Sequence, residues 1–411
     1  MKVVIAHNRY REALPSGENV IVDAEISQLR AAGVEVLPFQ RASDGIGALP
    51  LLDKALLPLS PLYNRRAQAD LADLIRRERP DLLHLHNPYP LLSPWVIRTA
   101  HAHGVPVIQT VHNYRQVCAS GLYFRDGHIC TDCKGRAFGL PAVIHSCYRG
   151  SKAQSAAMAT ALAAHRGTWR SVDRYIALTS AIKDHLIEYG IPEANISVKP
   201  NAIPDPGPAP TTAGEGFLYA ARLSPEKGLG LLLDAWRRHP DGALGQLRIA
   251  GDGELRPLAE AAAAERSDVT YLGVVPREEM SAQLRSAAVF LAVPTWHDVL
   301  PTAIIEALAN GRPVLGTDVG GVPFLVGADQ RRFPEGSRAG LCFPGVGGWV
   351  VAPEAGALAE GFAVARTQAG SFGDAARKRY LEMFHPEVVT GRLLEIYREV
   401  SAARPAGRRA R

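Results

Sequence analysis

No apolar run in the 411 residues is long enough to cross a bilayer as a helix. The opening MKVVIAHNRY also lacks the charged, apolar and cleavage regions of a signal peptide. These absences exclude membrane-spanning and secreted classes, so a cytoplasmic protein is expected. Charge of either sign is not in excess: 46 Lys and Arg against 41 Asp and Glu leave +5. Part of that surplus sits in the terminal RPAGRRAR, which reads as a solvated tail, so charge argues for no nucleic-acid partner. Cysteine is scarce, with five residues, yet Cys118, Cys130, Cys133 and Cys147 fall in one segment and Cys342 stands far away. What is abundant is ordinary for a globular protein, with 47% hydrophobic and 21% charged residues.

The first half alternates short apolar strands with amphipathic helices: KVVIAHN, AEISQLRAAG, VEVLPF, then PDLLHLHN, VPVIQTVHN and DRYIALT. This βαβ rhythm predicts a parallel sheet, and the polar residues stand at the strands' carboxyl ends, where open α/β sheets bind ligands. PDPGPAPTTAGEG, rich in Pro and Gly, reads as an interdomain connection. A second series follows, from GFLYAARL through QLRIAGDG, VTYLGVV and AVFLAVPT to RPVLGTDVGGVPF, each strand trailed by a helix. The expected fold is α/β, with two Rossmann-like domains facing each other across a cleft. Residues 1–200 would form the first and 201–382 the second, with 383–411 a closing helix, able to pack back on the first, and a basic tail.

Chemistry-bearing residues gather at the strand ends of the second half. In ARLSPEKG, Arg222 and Lys227 offer a planar fork and a point charge, a pairing suited to a diphosphate; two solvated surface cations are the plainer alternative. In IAGDGE, Gly251 and Gly253 flank Asp252, where small residues permit close backbone approach or merely a tight turn. PTWHDVLPTAIIEALANGRPVLGTDVGG then runs from a strand through a turn into a helix, whose amino end favours a phosphate. Asp298 in the turn and Glu306 in the helix are acceptor-only groups that suit sugar diols. Ile304, Ile305, Ala307 and Leu308 around Glu306 argue against a solvated acid.

On those three motifs the chain resembles the retaining, nucleotide-sugar-dependent glycosyltransferases of family four, also called glycosyl transferases group 1, with the GT-B fold. The resemblance covers nearly the whole chain. It implies that Arg222 and Lys227 bind the donor diphosphate, that Asp298 holds hydroxyls of the donor sugar, and that Glu306 holds the ribose. The backbone around Val299, Leu300, Pro301 and Thr302 would contact sugar and phosphate. The family usually has glutamate at the first acid, so Asp298, one methylene shorter, implies an altered donor-sugar preference. The resemblance also places His112, at the end of VPVIQTVHN, beside the transferred sugar, and Gly17 in the glycine-rich loop ALPSGEN, where Ser16 replaces part of a common glycine pair. His84 and His86 read as structural or supporting.

Retention in this fold is understood to proceed on one face of the sugar, so no protein nucleophile is needed. No D-x-D occurs, and no cofactor or metal is expected at the active site. The implied activity is transfer of a hexose-like unit from a nucleoside diphosphate sugar to an acceptor the sequence does not identify. A sugar-nucleotide epimerase on the same fold and a non-catalytic sugar-nucleotide or glycan-binding module are the alternatives. In the segment 118–147, an insertion by this reading, Cys130 and Cys133 form a C-x-x-C between Cys118 and Cys147, four thiols suited to a structural zinc, with His128 and His145 as substitute ligands. The apolar stretch LPLLDKALLPLSPLYNRRAQ resembles segments through which some relatives touch membranes, but its prolines favour ordinary packing.

Overall fold

The computed structural model describes residues 1–10, 17–48, 54, 57–210, 212–328 and 342–403. Ser16, most of the apolar start of segment 49–68, and the tail from Arg404 lie outside these residues. No described helix is long and apolar enough to cross a membrane. The chain divides into two compact units, Met1–Tyr123 with Cys130–Ala202 and the part from Val389, and Ile203–Val388 with Phe124–Ile129.

The first unit carries a six-stranded parallel sheet of β1 (Lys2–Arg9), β2 (Glu35–Ala42), β3 (Leu82–Leu85), β4 (Val107–Val111), β7 (Arg174–Ala177) and β8 (Ile196–Val198), ordered β2-β1-β3-β4-β7-β8. The inner strands β3 and β4 are buried along their whole length, which is why they read as near-continuous apolar runs, whereas the edge strand β2 is partly exposed. Helix Gly17–Ala31 covers one face with Ile21, Val22, Ile26 and Leu29. The closing helix Pro386–Ala402 adds Leu393, Ile396, Tyr397 and Val400 to the same core, against Val3, Ile5 and Ile108. Strand order reverses between β1 and β3, so the crevice of this sheet opens at their carboxyl ends, where His7, Asn8 and His86 stand.

Between β4 and β7 lie a two-residue-a-side hairpin, β5 (Phe124–Arg125) with β6 (His128–Ile129), and short helices. The second unit holds β9 (Phe217–Ala220), β10 (Leu247–Ala250), β11 (Val269–Gly273), β12 (Val289–Ala292), β13 (Val314–Thr317), β14 (Phe343–Pro344) and β15 (Gly348–Val351). They form a seven-stranded sheet ordered β11-β10-β9-β12-β13-β15-β14, parallel except for β14. Phe217, Trp236, Leu291, Trp349 and Phe362 centre its core. Here the order reverses between β9 and β12, and both strands run straight into the motifs singled out above.

Candidate active site

At the switch point of the second unit, the loop after β9 and the turn after β12 meet through an ion pair. Lys227 Nζ lies 2.5 Å from Asp298 Oδ2, with side chains 23% and 11% exposed, and stands 5.4 Å from the centre of the Trp296 ring. Arg222 donates to Glu226 Oε1 at 2.8 Å from an exposed position, and Ser224 Oγ donates to the same oxygen at 2.7 Å. The loop and the turn thus bring Lys227 against the buried Asp298, while Arg222 is held on the same loop by Glu226.

The turn is held by glycine. Gly320, at φ +60°, comes so close to it that an added Cβ would fall 2.4 Å from the Asp298 carbonyl oxygen, and Gly321 N donates to that oxygen at 2.7 Å. Gly251 closes on the neighbouring loop instead: its Cβ would be 1.9 Å from the carbonyl oxygen of Ala221, and Leu223 N donates to Asp252 O at 2.9 Å. Gly253 N donates to Asp252 Oδ1. These two glycines therefore lock the loop bearing Arg222 against the end of β10.

Helix Thr302–Ala309 begins at Pro301, and no side chain caps it, which leaves its amino end suited to an anion. Val299 and Leu300 are buried; Pro301 and Thr302 are half-buried. Glu306 is half-buried between Ile305 and Ala307, with no hydrogen-bond partner for its carboxylate among the described residues. Burial pushes its pKa up, against the pull of Arg277.

In the first unit, His112 directly follows β4, and its Nε2 lies 2.9 Å from Nδ1 of His86. His86 Nε2 is 3.2 Å from Glu25 Oε1, and Lys199 Nζ is 2.9 Å from Glu25 Oε2. Burial opposes the Glu25 charge, but Lys199 and the His86 ring hold the pKa well below the usual carboxylate range. Burial, the largest cause, lowers the pKa of both His112 and His84 well below the ordinary histidine range. Gly17 opens helix Gly17–Ala31, and an added Cβ there would meet nothing within 4 Å.

Glu25, His84 and His86 bring three ligand atoms within 4.8 Å of one another, the spacing of a metal site. Their bonding argues for a different use. Both ring nitrogens of His84 are engaged at 2.7 Å, by Tyr397 and by Thr110, and the Lys199 ammonium already balances the carboxylate. The four clustered cysteines are all partly buried. Burial first, then the nearby thiols of Cys118, Cys147 and Cys130, raise the pKa of Cys133. Among the described residues no three of these sulfurs lie within 4.8 Å of one another.

Sequence reading did not single out Glu25, Lys199, Glu226 or Trp296. Glu25 had a signal: it falls among Ile21, Val22, Ile26 and Leu29, an acid on the apolar face of an amphipathic helix. Lys199 lies just after a short strand, and nothing in its spacing marks it as buried.

Residues 16–202 match the family described as glycosyl transferase 4-like domain, and residues 214–363 match glycosyl transferases group 1. The chain is 32% identical over 179 residues to the putative colanic acid biosynthesis glycosyltransferase WcaL of Escherichia coli, covering 39% of this chain and 43% of that one. It is 27% identical to the D-inositol 3-phosphate glycosyltransferase of Nocardia farcinica over 338 residues, 72% of this chain and 66% of the other. The matches thus span less than two thirds of those relatives' length. Its fold is that of the sucrose-phosphate synthase of Thermosynechococcus elongatus, with a TM-score of 0.67 at 18% identity over 98% of this chain and 99% of that one. The Anabaena protein HepE in complex with UDP-glucose gives 0.58 at 15% identity over 97% and 100%. With two family matches that together cover most of its length, the chain belongs to the group 1, family four glycosyltransferases, a retaining family with the GT-B fold.

Proposed function

We propose that the chain transfers a hexose-like sugar, with retention, from a nucleoside diphosphate sugar to an acceptor yet to be identified. The observation that carries this reading is Glu306, a half-buried acid with no hydrogen-bond partner for its carboxylate among the described residues, one turn into an uncapped helix and eight positions after an aspartate bound to Lys227. That arrangement suits one ligand: a diphosphate at the helix start near Arg222 and Lys227, ribose hydroxyls on Glu306, and sugar hydroxyls on Asp298. Lys227, Arg222 and the helix amino end would stabilise the departing diphosphate as the bond from C1 to its oxygen breaks. The acceptor oxygen would bond to C1 on the same face, its proton passing to the leaving phosphate. His112 would hold a hydroxyl of the transferred sugar, as the family resemblance implies.

HepE binds UDP-glucose, so uridine diphosphate sugars are the first donors to test. A thermal-shift screen of nucleoside diphosphates and their sugars, followed by release of the diphosphate without acceptor, checks the reading. Stabilisation by one nucleotide and slow hydrolysis of its sugar are expected. Conversion of the bound sugar without release would replace transfer with epimerisation, and the absence of any shift would sink both. We further propose that Asp298 shifts donor-sugar preference, and that Cys118, Cys130, Cys133 and Cys147 close around a structural zinc in a cytoplasmic setting that keeps them reduced. Stoichiometric zinc in the purified protein, lost on Cys130→Ser, is expected; metal-free protein of unchanged stability would refute it.

A further inference from the structure

A line of buried polar side chains joins Lys199 to His112 across the carboxyl ends of β1, β3 and β4. Lys199 and Glu25 are 2.9 Å apart, with side chains 1% and 9% exposed. The second carboxylate oxygen faces Nε2 of His86 at 3.2 Å, and Nδ1 of His86 faces Nε2 of His112 at 2.9 Å. The two rings are stacked, 5.2 Å between centres.

The donors and acceptors along this line follow from elementary constraints. Glu25 Oε1 and His86 Nε2 stand 3.2 Å apart without closing a hydrogen bond, and the carboxylate's negative charge places the hydrogen of His86 on the nitrogen that faces it. Lys199 already balances Glu25 charge for charge, and a further cation on His86 would leave the buried group with an unmatched charge. His86 is then neutral, its Nδ1 is an acceptor, and the bond between the rings is donated by Nε2–H of His112. One hydrogen remains on a neutral imidazole, so Nδ1 of His112 is an open acceptor. The ring is largely buried with an edge open to solvent, and its Nδ1 has no hydrogen-bond partner among the described residues. His84 Nδ1 also stands 3.4 Å from the same Glu25 oxygen, but its two nitrogens bond Tyr397 and Thr110 at 2.7 Å, so it fixes no hydrogen on His86.

We propose that Glu25 and His86 are positioning residues that hold His112 in the Nε2–H tautomer, so that its Nδ1 accepts a hydrogen bond from a hydroxyl of the transferred sugar. The proposal rests on the glycosyltransferase reading above. It gives a physical reason for an acid on the apolar face of helix Gly17–Ala31 and for a buried lysine after β8.

Ring nitrogen spectra of the full-length, 15N-labelled protein test it, with His112 assigned through its loss in His112→Gln. In the wild type a protonated Nε2 and an unprotonated Nδ1 are expected at His112. In His86→Asn, whose amide oxygen can replace the acceptor, the tautomer is expected to persist and kcat to stay within about threefold. In His86→Leu the tautomer is expected to be lost, with kcat down about tenfold and the donor KM little changed. A wild-type His112 protonated at Nδ1 overturns the proposal, and so does a His86→Leu protein that keeps both tautomer and kcat. Absence of turnover with every donor overturns the glycosyltransferase reading instead, while the spectra still decide the tautomer. The wild-type spectrum needs no variant at the relay itself, so a misfolded His86→Leu leaves the test intact.

Discussion

Asp298 and Glu306 stand eight positions apart in unlike surroundings. Asp298 is 7% exposed and bonded to Lys227, whereas Glu306 is half-buried with no bonded partner and a raised pKa. The difference separates their substitutions. Glu306→Ala removes a carboxylate with no hydrogen-bond partner among the described residues, so the melting temperature should hold or rise while the KM for the donor rises about tenfold to a hundredfold. Steady-state kinetics and calorimetry on one preparation check both. Lys227→Ala should lower stability as well as donor affinity, because it leaves the Asp298 carboxylate nearly buried and alone; about 1–2 kcal/mol is expected for this partly exposed pair. Asp298→Glu keeps the charge but lengthens the side chain, and should change the relative kcat/KM among donor sugars. An unchanged ranking across several donors would show that the shorter acid does not set the preference.

At the scale of elements, turns rather than strands set the geometry of the site. The turn after β12 is closed by the segment after β13 through Gly320, and the loop after β9 is closed by Gly251 after β10. Gly320→Ala combines a left-handed φ with a Cβ that would overlap the Asp298 carbonyl oxygen, so it should destabilise by about 2 kcal/mol or more and weaken donor binding together. Gly17→Ala meets open space at the start of its helix and should leave the melting temperature unchanged or slightly higher. Thermal melts of the two variants, with and without the nucleotide found in the screen, distinguish a strained turn from a tolerant one.

At the scale of the whole molecule, acid should act on the two units at different pH. The first unit buries His7, lowered by burial from 6.5 to about 4, together with His84 and His112, both also lowered well below 6.5. A depressed folded pKa means stability that is fully present above the unfolded value and lost as pH falls towards the folded one. These rings therefore withdraw support from about pH 6.5 downward. Glu18, raised by burial from 4.5 to about 7, runs the other way and offsets part of the loss. In the second unit Asp268 is the main depressed group, from 3.8 to about 2; burial works against its charge, and Arg266, the Gly242 amide and Trp236 outweigh it. Its support is lost only below pH 3.8. Pulse proteolysis from pH 7 to 3, with cleavage sites mapped by mass spectrometry, should open residues of the first unit before those of Ile203–Val388. Simultaneous opening of both units would contradict this. The fold itself was largely legible in the chain, because βα alternation and polar strand ends are periodic, local signals. Arg222, Lys227, Asp298 and Glu306 were singled out by the same kind of local signal, since they sit in contiguous motifs beside the strands that present them. The Lys227–Asp298 pair and the line from Lys199 through Glu25 and His86 to His112 were not, since their members are 71, 174, 61 and 26 positions apart. Local sequence determines which segment becomes strand or helix and which polar groups end it. Only the packing of distant segments decides which buried charge meets which partner, because desolvation makes that pairing obligatory without leaving any mark on spacing.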